Sequence, residues 1–318
     1  MPPMPLPDGS RVLAIDLGGT KTAVGLVAGD GSILAKDTAA TPLGDSAAAY
    51  ETMLRLSRKL LAEGGPVSAI GLALPGVVDR GRGSLIHSPS SGWRDLPFGS
   101  MLSEALSLPV STDNDVNACA WAEYLFGAGR ALDCFFWITV STGIGGAVFV
   151  GDRVLQGASG MAGEIGHFVA IPGGQLCGCG HRGCLEAEAA GPAWRRCALG
   201  LLDEGAGGVL SRVPRDSIDA KTIAEAARGG DRLCLEVVKR MGETLGKGLA
   251  AIVNILDPAS IIMGGGVAGA FDLLLPHMTG SAARLCLSGG DRPLRVQASA
   301  LGYDAALIGA AALALRPY

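Results

Sequence analysis

The stretch DLGGTK occupies residues 16–21 and follows the apolar run Val12-Leu13-Ala14-Ile15. A buried strand that ends in an acid, two glycines, a threonine and a lysine either closes a hairpin or holds a phosphate. Glycine lets a backbone approach an anion closely, and successive N–H groups can then point at it. Thr20 adds a hydroxyl donor. Asp16 would repel bare phosphate, so it makes sense there only with a cation between them, and Mg2+ is the obvious one. Neither GxxxxGK[ST] nor GxGxxG is present at this turn. Taken alone, the motif reads equally well as an ordinary hairpin turn.

The same pattern restarts later. Residues 135–141 read as a strand ending in Ser-Thr-Gly, 145–150 as a second strand, and 153–156 as a third after Gly151-Asp152. An offset of 122 residues lays Thr20 on Thr142 and Gly29-Asp30 on Gly151-Asp152. The first copy has strands at 11–17, 22–28 and 32–37. The repeat predicts two related domains, each opening with three strands joined by turns. Two such turns, Asp16, Gly18, Gly19 and Thr20 in one and Thr142 and Gly143 in the other, can grip one nucleotide's phosphates. A third glycine turn, Gly264-Gly265-Gly266, follows the apolar run SIIM. Backbone without side chains at Gly265 and Gly266 suits a flat adenine or ribose.

Between the repeats, residues 46–63 read as a helix that Ser46 can cap, and 67–74 as a strand. Val238, Met241, Leu245, Leu249, Ile252 and Leu256 share one face of a helix at 236–256, which Asp257-Pro258 stops. Residues 304–315 are alanine-rich and apolar nearly all round, which predicts a buried helix returning to the first domain. Strands and helices with glycine turns at strand ends give an α/β class.

Composition agrees. The 318 residues suggest roughly two domains of about 150 each. Residues are 48% hydrophobic and 18% charged, ample for large cores. With a net charge of −4 and no long Lys/Arg block, a nucleic-acid partner is not expected. No membrane span is expected either: the most apolar window, 134–150, is broken by Gly143, Gly145 and Gly146. MPPMPLPDGSR at the N-terminus lacks the basic and apolar regions of a signal peptide. Three of the eight cysteines lie within eight residues and the rest are scattered, which points to a reducing, cytoplasmic setting with one metal site.

Two further constellations carry chemistry. Asn114-Asp115 lies where a strand ending near Thr112 meets a helix at 116–126. A carboxylate at such a junction can accept the proton of an attacking hydroxyl, or it can be a plain helix cap. His167 with Cys177, Cys179 and Cys184 makes a tetrahedral Zn2+ set of one imidazole and three thiolates. Three buried free thiols, or His181 as the fourth ligand, are the other readings. Glu164 and Glu186 flank this knuckle, where rigid carboxylates suit the vicinal hydroxyls of a sugar. Trp93 either packs on that sugar or belongs to the core.

Together these motifs resemble the ROK family (repressor, open reading frame, kinase) of sugar kinases and regulators. The matching stretches are DLGGTK at 16–21, LPGVVD at 74–79, DNDVNACAWAEYLFGAG at 113–129, STGIGGA at 141–147, GASGMAGEIGH at 157–167, CGCGHRGCLE at 177–186 and IIMGGGV at 261–267. The resemblance implies a two-domain actin-like, hexokinase-type (ribonuclease H-like) fold with a zinc loop. Domain boundaries are expected at 1–115 plus 300–318 and at 116–299. It implies transfer of the ATP γ-phosphate, with Mg2+, to a sugar hydroxyl, usually at C6. By position, Asp115 becomes the general base. Asn114, Glu164, His167 and Glu186 become sugar contacts, His167 also binding zinc. Asp16, Gly18, Gly19, Thr20, Thr142 and Gly143 surround the phosphates and Mg2+, and Gly265 and Gly266 the adenosine.

Glucose is the leading expected substrate. Ser90-Ser91-Gly92 stands where glucokinases of the family usually have an asparagine, and STGIGG also occurs in N-acetylmannosamine kinases. N-acetylmannosamine or N-acetylglucosamine is therefore the alternative. A sugar-responsive transcription regulator is the alternative of another class. It needs a helix-turn-helix module, and the 15 residues before Asp16 are too few for one. The resemblance also implies a homodimer or homotetramer.

Overall fold

The computed structural model describes residues 10–287 and 294–316. The N-terminal stretch read above for a signal peptide lies almost wholly outside them. The described chain divides into two compact units. The first gathers the residues up to 132, 148–162 and those from 300 onward; the second holds 133–147 and 163–299.

The first unit opens with β1 (Arg11–Leu17), β2 (Lys21–Ala28) and β3 (Ile33–Ala40), then α1 (Ser46–Gly64) and β4 (Ile70–Leu74). A small antiparallel sheet follows: β5 (Val77–Asp79), β6 (Ser84–His87) and β7 (Arg94–Leu96). Next come α2 (Phe98–Leu106), β8 (Val110–Asn114) and α3 (Asp115–Phe126). The main sheet has the order β3-β2-β1-β4-β8, antiparallel across the first three strands and parallel from β1 to β4 to β8.

The second unit starts with β9 (Cys134–Val140) and β10 (Ile144–Val150), whose last residues belong to the first unit with β11 (Arg153–Val154). Helices α4 (Leu185–Ala189), α5 (Gly191–Asp203), α6 (Ala220–Arg228) and α7 (Arg232–Leu256) lead to β12 (Ser260–Gly264). Then α8 (Phe271–Ala283) and β13 (Val296–Ala298) precede α9 (Ala305–Leu315), which returns to the first unit. The second sheet runs β11-β10-β9-β12-β13, the order of the first. The 122-residue repeat read from turn residues is thus a repeat of sheet topology.

Helix α9 explains its own composition. It packs on β1, β4 and α3. A Cβ on Gly71 would fall 1.6 Å from Ala310 O, and one on Gly309 would fall 2.3 Å from Ala118 O. Only alanines and glycines permit backbones this close, and Leu307 and Leu313 fill what space is left. Each buried leucine contributes about 1.5–3 kcal/mol. α3 therefore sits with the first unit, whereas the sequence reading started the second domain at 116.

Local details differ from the sequence reading for physical reasons. Asp45, not Ser46, caps α1: its extended backbone lets the carboxylate accept from Ala47 N (2.9 Å) and Ala48 N (3.0 Å). Helix α7 starts at Arg232 because Asp231 caps it through Cys234 N, a turn ahead of the apolar face. Trp93 is buried, with its ring edge-on to Phe98 at 6.1 Å, so it belongs to the core and not to a sugar platform. The apolar window 134–150 forms β9 and β10, and no described helix is long and apolar enough to cross a membrane.

Candidate active site

In the first unit, DLGGTK is the β1–β2 turn. Gly18 N donates to Lys21 O (3.1 Å), and a Cβ on Gly18 would lie 2.9 Å from that oxygen. The turn is propped from β3's end: Thr41 N donates to Thr20 O (3.0 Å), and Thr41 Oγ1 donates to Gly18 O (2.8 Å). Gly19 and Thr20 are left exposed. Asp16 is the penultimate residue of β1, between the buried Ile15 and Leu17. Its carboxyl is pushed up to about 7, first by burial, then by the charges of Asp115 and Asp304, with Lys21 pulling the other way. A cation beside Asp16 would relieve the repulsion that Asp115 adds there.

Asp115 is the first residue of α3, and β8 delivers it there. Asn114 is the N-cap: its side-chain oxygen accepts from Val116 N (2.8 Å) and Asn117 N (3.2 Å). The Asn114 amide donates to Gly76 O and to Asp115 Oδ1, both at 2.9 Å. Oδ1 also accepts from Val116 N at 3.0 Å. So the capping role falls to Asn114, and Asp115's carboxylate is held by one oxygen at the helix's positive end.

In the second unit, residues 141–146 join β9 to β10. Ser141 N donates to Gly143 O (2.8 Å), and Gly191 N at the start of α5 donates to Ser141 O (2.7 Å). Thr142 is exposed. Glu186, from α4, reaches this turn: its Oε2 accepts from Ile144 N at 3.0 Å and lies 2.5 Å from where a Cβ on Gly143 would be. Nothing local in the chain signals this bond, which spans 42 residues.

The GEIGH stretch lies directly on β10. A Cβ on Gly163 would be 2.4 Å from Gly146 O, and one on Gly166 would be 1.9 Å from Ile144 O. A single 3₁₀ turn at 165–167 then presents Glu164 and His167 together, Oε2 to Nε2 at 3.9 Å. The other imidazole nitrogen, Nδ1, faces the knuckle at 3.7 Å from Cys177 Sγ. Cys179 Sγ lies 3.6 Å from Cys184 Sγ. The four ligand atoms of His167, Cys177, Cys179 and Cys184 all fall within 4.8 Å of one another. Zinc bonds of about 2.0–2.3 Å at tetrahedral angles space ligand atoms about 3.6–3.8 Å apart. His181 Nδ1 is 3.6 Å from Cys179 Sγ but is not in the mutual cluster.

The third glycine turn has its own packing reasons. Gly264 is bare because a Cβ would strike the Trp137 ring at 2.2 Å. Gly265 has φ +88°, and a Cβ there would meet Val140 O at 2.4 Å. Gly265 and Gly266 are exposed beyond the end of β12.

The model of the ROK family matches residues 12–316.

The chain belongs to the ROK family.

Among ROK relatives, a glucokinase of Streptomyces coelicolor is 35% identical over 96% of this chain and 98% of its own length. An N-acetylmannosamine kinase of Yersinia pestis is 34% identical over 94% of this chain and 96% of its own. The crystal structure of a ROK glucokinase from Streptomyces griseus with glucose and AMPPNP is 36% identical, covering 96% of this chain and 99% of that one with a TM-score of 0.84. The α/β fold expected from the sequence is that of ROK kinase structures.

Proposed function

We propose that this ROK protein transfers the γ-phosphoryl group of ATP to the C6 hydroxyl of a hexose, with glucose as the preferred acceptor. The observation that carries the reading is Asp115: a carboxylate at a strand-to-helix junction, fixed through Oδ1 by Asn114 and Val116 N. Such a group accepts the hydroxyl proton as the oxygen attacks phosphorus. The reading is supported by the glucokinase names of relatives and by the glucose and AMPPNP of the Streptomyces griseus structure.

The proposed reaction draws on both units. From the first, Asp115 takes the proton, and Asp16 beside the Gly18-Gly19-Thr20 turn receives Mg2+-ATP as substrate. From the second, the amides of the Thr142-Gly143 turn bind phosphate, Gly265 and Gly266 take the adenosine, and Glu164, His167 and Glu186 take sugar hydroxyls. Asn114 serves the sugar from the first unit. Zn2+ fits the spacing of His167 Nδ1 and the three sulfurs, and when bound it holds the knuckle rigid and does no redox or acid chemistry. His167 then keeps Nε2 for a hydroxyl while Nδ1 serves the metal. A cytoplasmic homodimer or homotetramer accords with the reading.

N-acetylmannosamine is the second acceptor, on two observations: the Yersinia pestis relative, and Ser90-Ser91-Gly92 at the place where an asparagine is usual. A coupled ADP-release assay over glucose, mannose, N-acetylglucosamine and N-acetylmannosamine tests the proposal. Glucose should give the highest kcat/KM. Highest kcat/KM with an N-acetylhexosamine reverses the choice of sugar, and no ADP release with any of them rejects the kinase reading.

A further inference from the structure

Asp113 is one residue short of the proposed catalytic pair and is 1% exposed. Nothing in the pairing of β8, an edge strand bonded only to β4, calls for a carboxylate there. A buried charge is strongly disfavoured unless it is paired and fully hydrogen-bonded. Asp113 is. Its Oδ1 accepts from Asn114 N at 2.7 Å and from Asn117 Nδ2 at 3.0 Å. Its Oδ2 lies 3.5 Å from Arg80 Nε and 3.4 Å from Gln156 Nε2. These donors come from four places in the first unit: the turn after β5, the end of β8, the first turn of α3 and the segment after β11.

We propose that Asp113, with Arg80 and Gln156, is the positioning unit that sets the Asn114–Asp115 pair for phosphoryl transfer. The chain of constraint is short. Oδ1 pins the backbone N–H of Asn114 and the side chain of Asn117, which fixes the strand-to-helix corner. Asn114, so held, caps α3 and donates to Asp115 Oδ1. The Arg80 guanidinium offsets the charge of Asp113, two residues before Asp115. Gln156 extends the unit to the loop that follows. Its backbone oxygen accepts from Ala162 N at 3.1 Å, closing residues 157–162 into a ring whose first residue, Gly157, has φ +74°. The amide of Gln156 thus ties the corner bearing the base to this ring within the first unit.

The inference rests on Asp115 being the base, and the experiment separates the two. Turnover is measured for Asp113→Asn, Gln156→Leu and Asp115→Asn, with glucose and ATP each varied. Displaced positioning groups weaken the sugar and transition-state contacts they align and spare the nucleotide. For Asp113→Asn we expect kcat/KM for glucose to fall about 50-fold, with KM for glucose up about fivefold and KM for ATP within about twofold of the parent. Gln156→Leu leaves the Arg80–Asp113 pair in place, so it folds; KM for glucose should rise about threefold with KM for ATP unchanged. An unchanged KM for glucose in both variants overturns the proposal, since a smaller active fraction lowers only kcat. A parallel rise in both Michaelis constants also overturns it, because that is general distortion. If Asp115→Asn keeps its turnover while the other two behave as expected, the base assignment fails and the positioning of the sugar corner stands.

Discussion

The two glycine turns proposed to hold phosphate are built on one plan and completed differently. DLGGTK has its carboxylate on its own strand: Asp16 belongs to β1, four residues before Thr20. The repeat-equivalent position in the second turn, four residues before Thr142, is Ile138, and it is buried. The second turn takes its carboxylate from elsewhere, as Glu186 on α4 accepts from Ile144 N. The consequence is a division of labour. The first turn presents an acid pushed up to about 7 and suited to a cation; in the second, one oxygen of the acid, Oε2, shapes the backbone. Because Glu186 follows Cys184 by two residues, the shape of the second turn is also linked to the His167/Cys177/Cys179/Cys184 cluster proposed to hold zinc.

The comparison can be broken in several places. Asp16→Asn should have the largest effect, about a thousandfold loss of kcat with the folded state retained, because only the first turn relies on its acid for the cation. A loss under tenfold, measured at saturating Mg2+, would remove that distinction. Removing zinc by chelation should come next. We expect KM for the sugar to rise about thirtyfold, and KM for ATP about threefold because Glu186 loses its support. Metal analysis should give one zinc per chain, lost in step with activity. An ATP effect as large as the sugar effect would mean that the knuckle serves the nucleotide first.

Gly143→Ala should raise KM for ATP about tenfold, since a Cβ there meets Glu186 Oε2 at 2.5 Å and pushes the carboxylate off Ile144 N. The same substitution at Gly19, where a Cβ meets no protein atom within 4 Å, should raise KM for ATP only about threefold, through the approach of the phosphate alone. Equal effects would erase the structural difference between the turns. Smallest is Glu186→Gln, in which the amide oxygen still accepts from Ile144 N. KM for ATP should stay within about twofold, whereas Glu186→Ala raises it about fivefold. A tenfold ATP effect in the glutamine variant would show that charge, not the hydrogen bond, is what the second turn needs.

Much of this was legible in the sequence because it is local. Glycines after apolar runs marked the turns, the spacing of threonines exposed the repeat, and Cys-x-Cys-x4-Cys after GEIGH marked the knuckle. Asn114-Asp115 could be placed at a strand-to-helix corner, though not which of the two capped the helix. What escaped was set by contacts between distant residues. The Glu186–Ile144 bond joins positions 42 apart, and the Asp113–Gln156 contact joins positions 43 apart. Gly163 and Gly166 are bare because β10 passes beneath them, which the local sequence does not show. Gly264 looked like part of a nucleotide cradle and is bare because Trp137 packs on it. Adjacent candidates also misled: Asp45 and Ser46 can both cap a helix, and only backbone geometry chose Asp45.

The kinase reading is most directly tested by measuring turnover and glucose binding side by side in Asp115→Asn. Asparagine keeps the shape and can still accept from Val116 N, but it cannot take a proton. The account predicts glucose affinity within about threefold of the parent and turnover reduced about a thousandfold or more. Turnover within tenfold of the parent would contradict it.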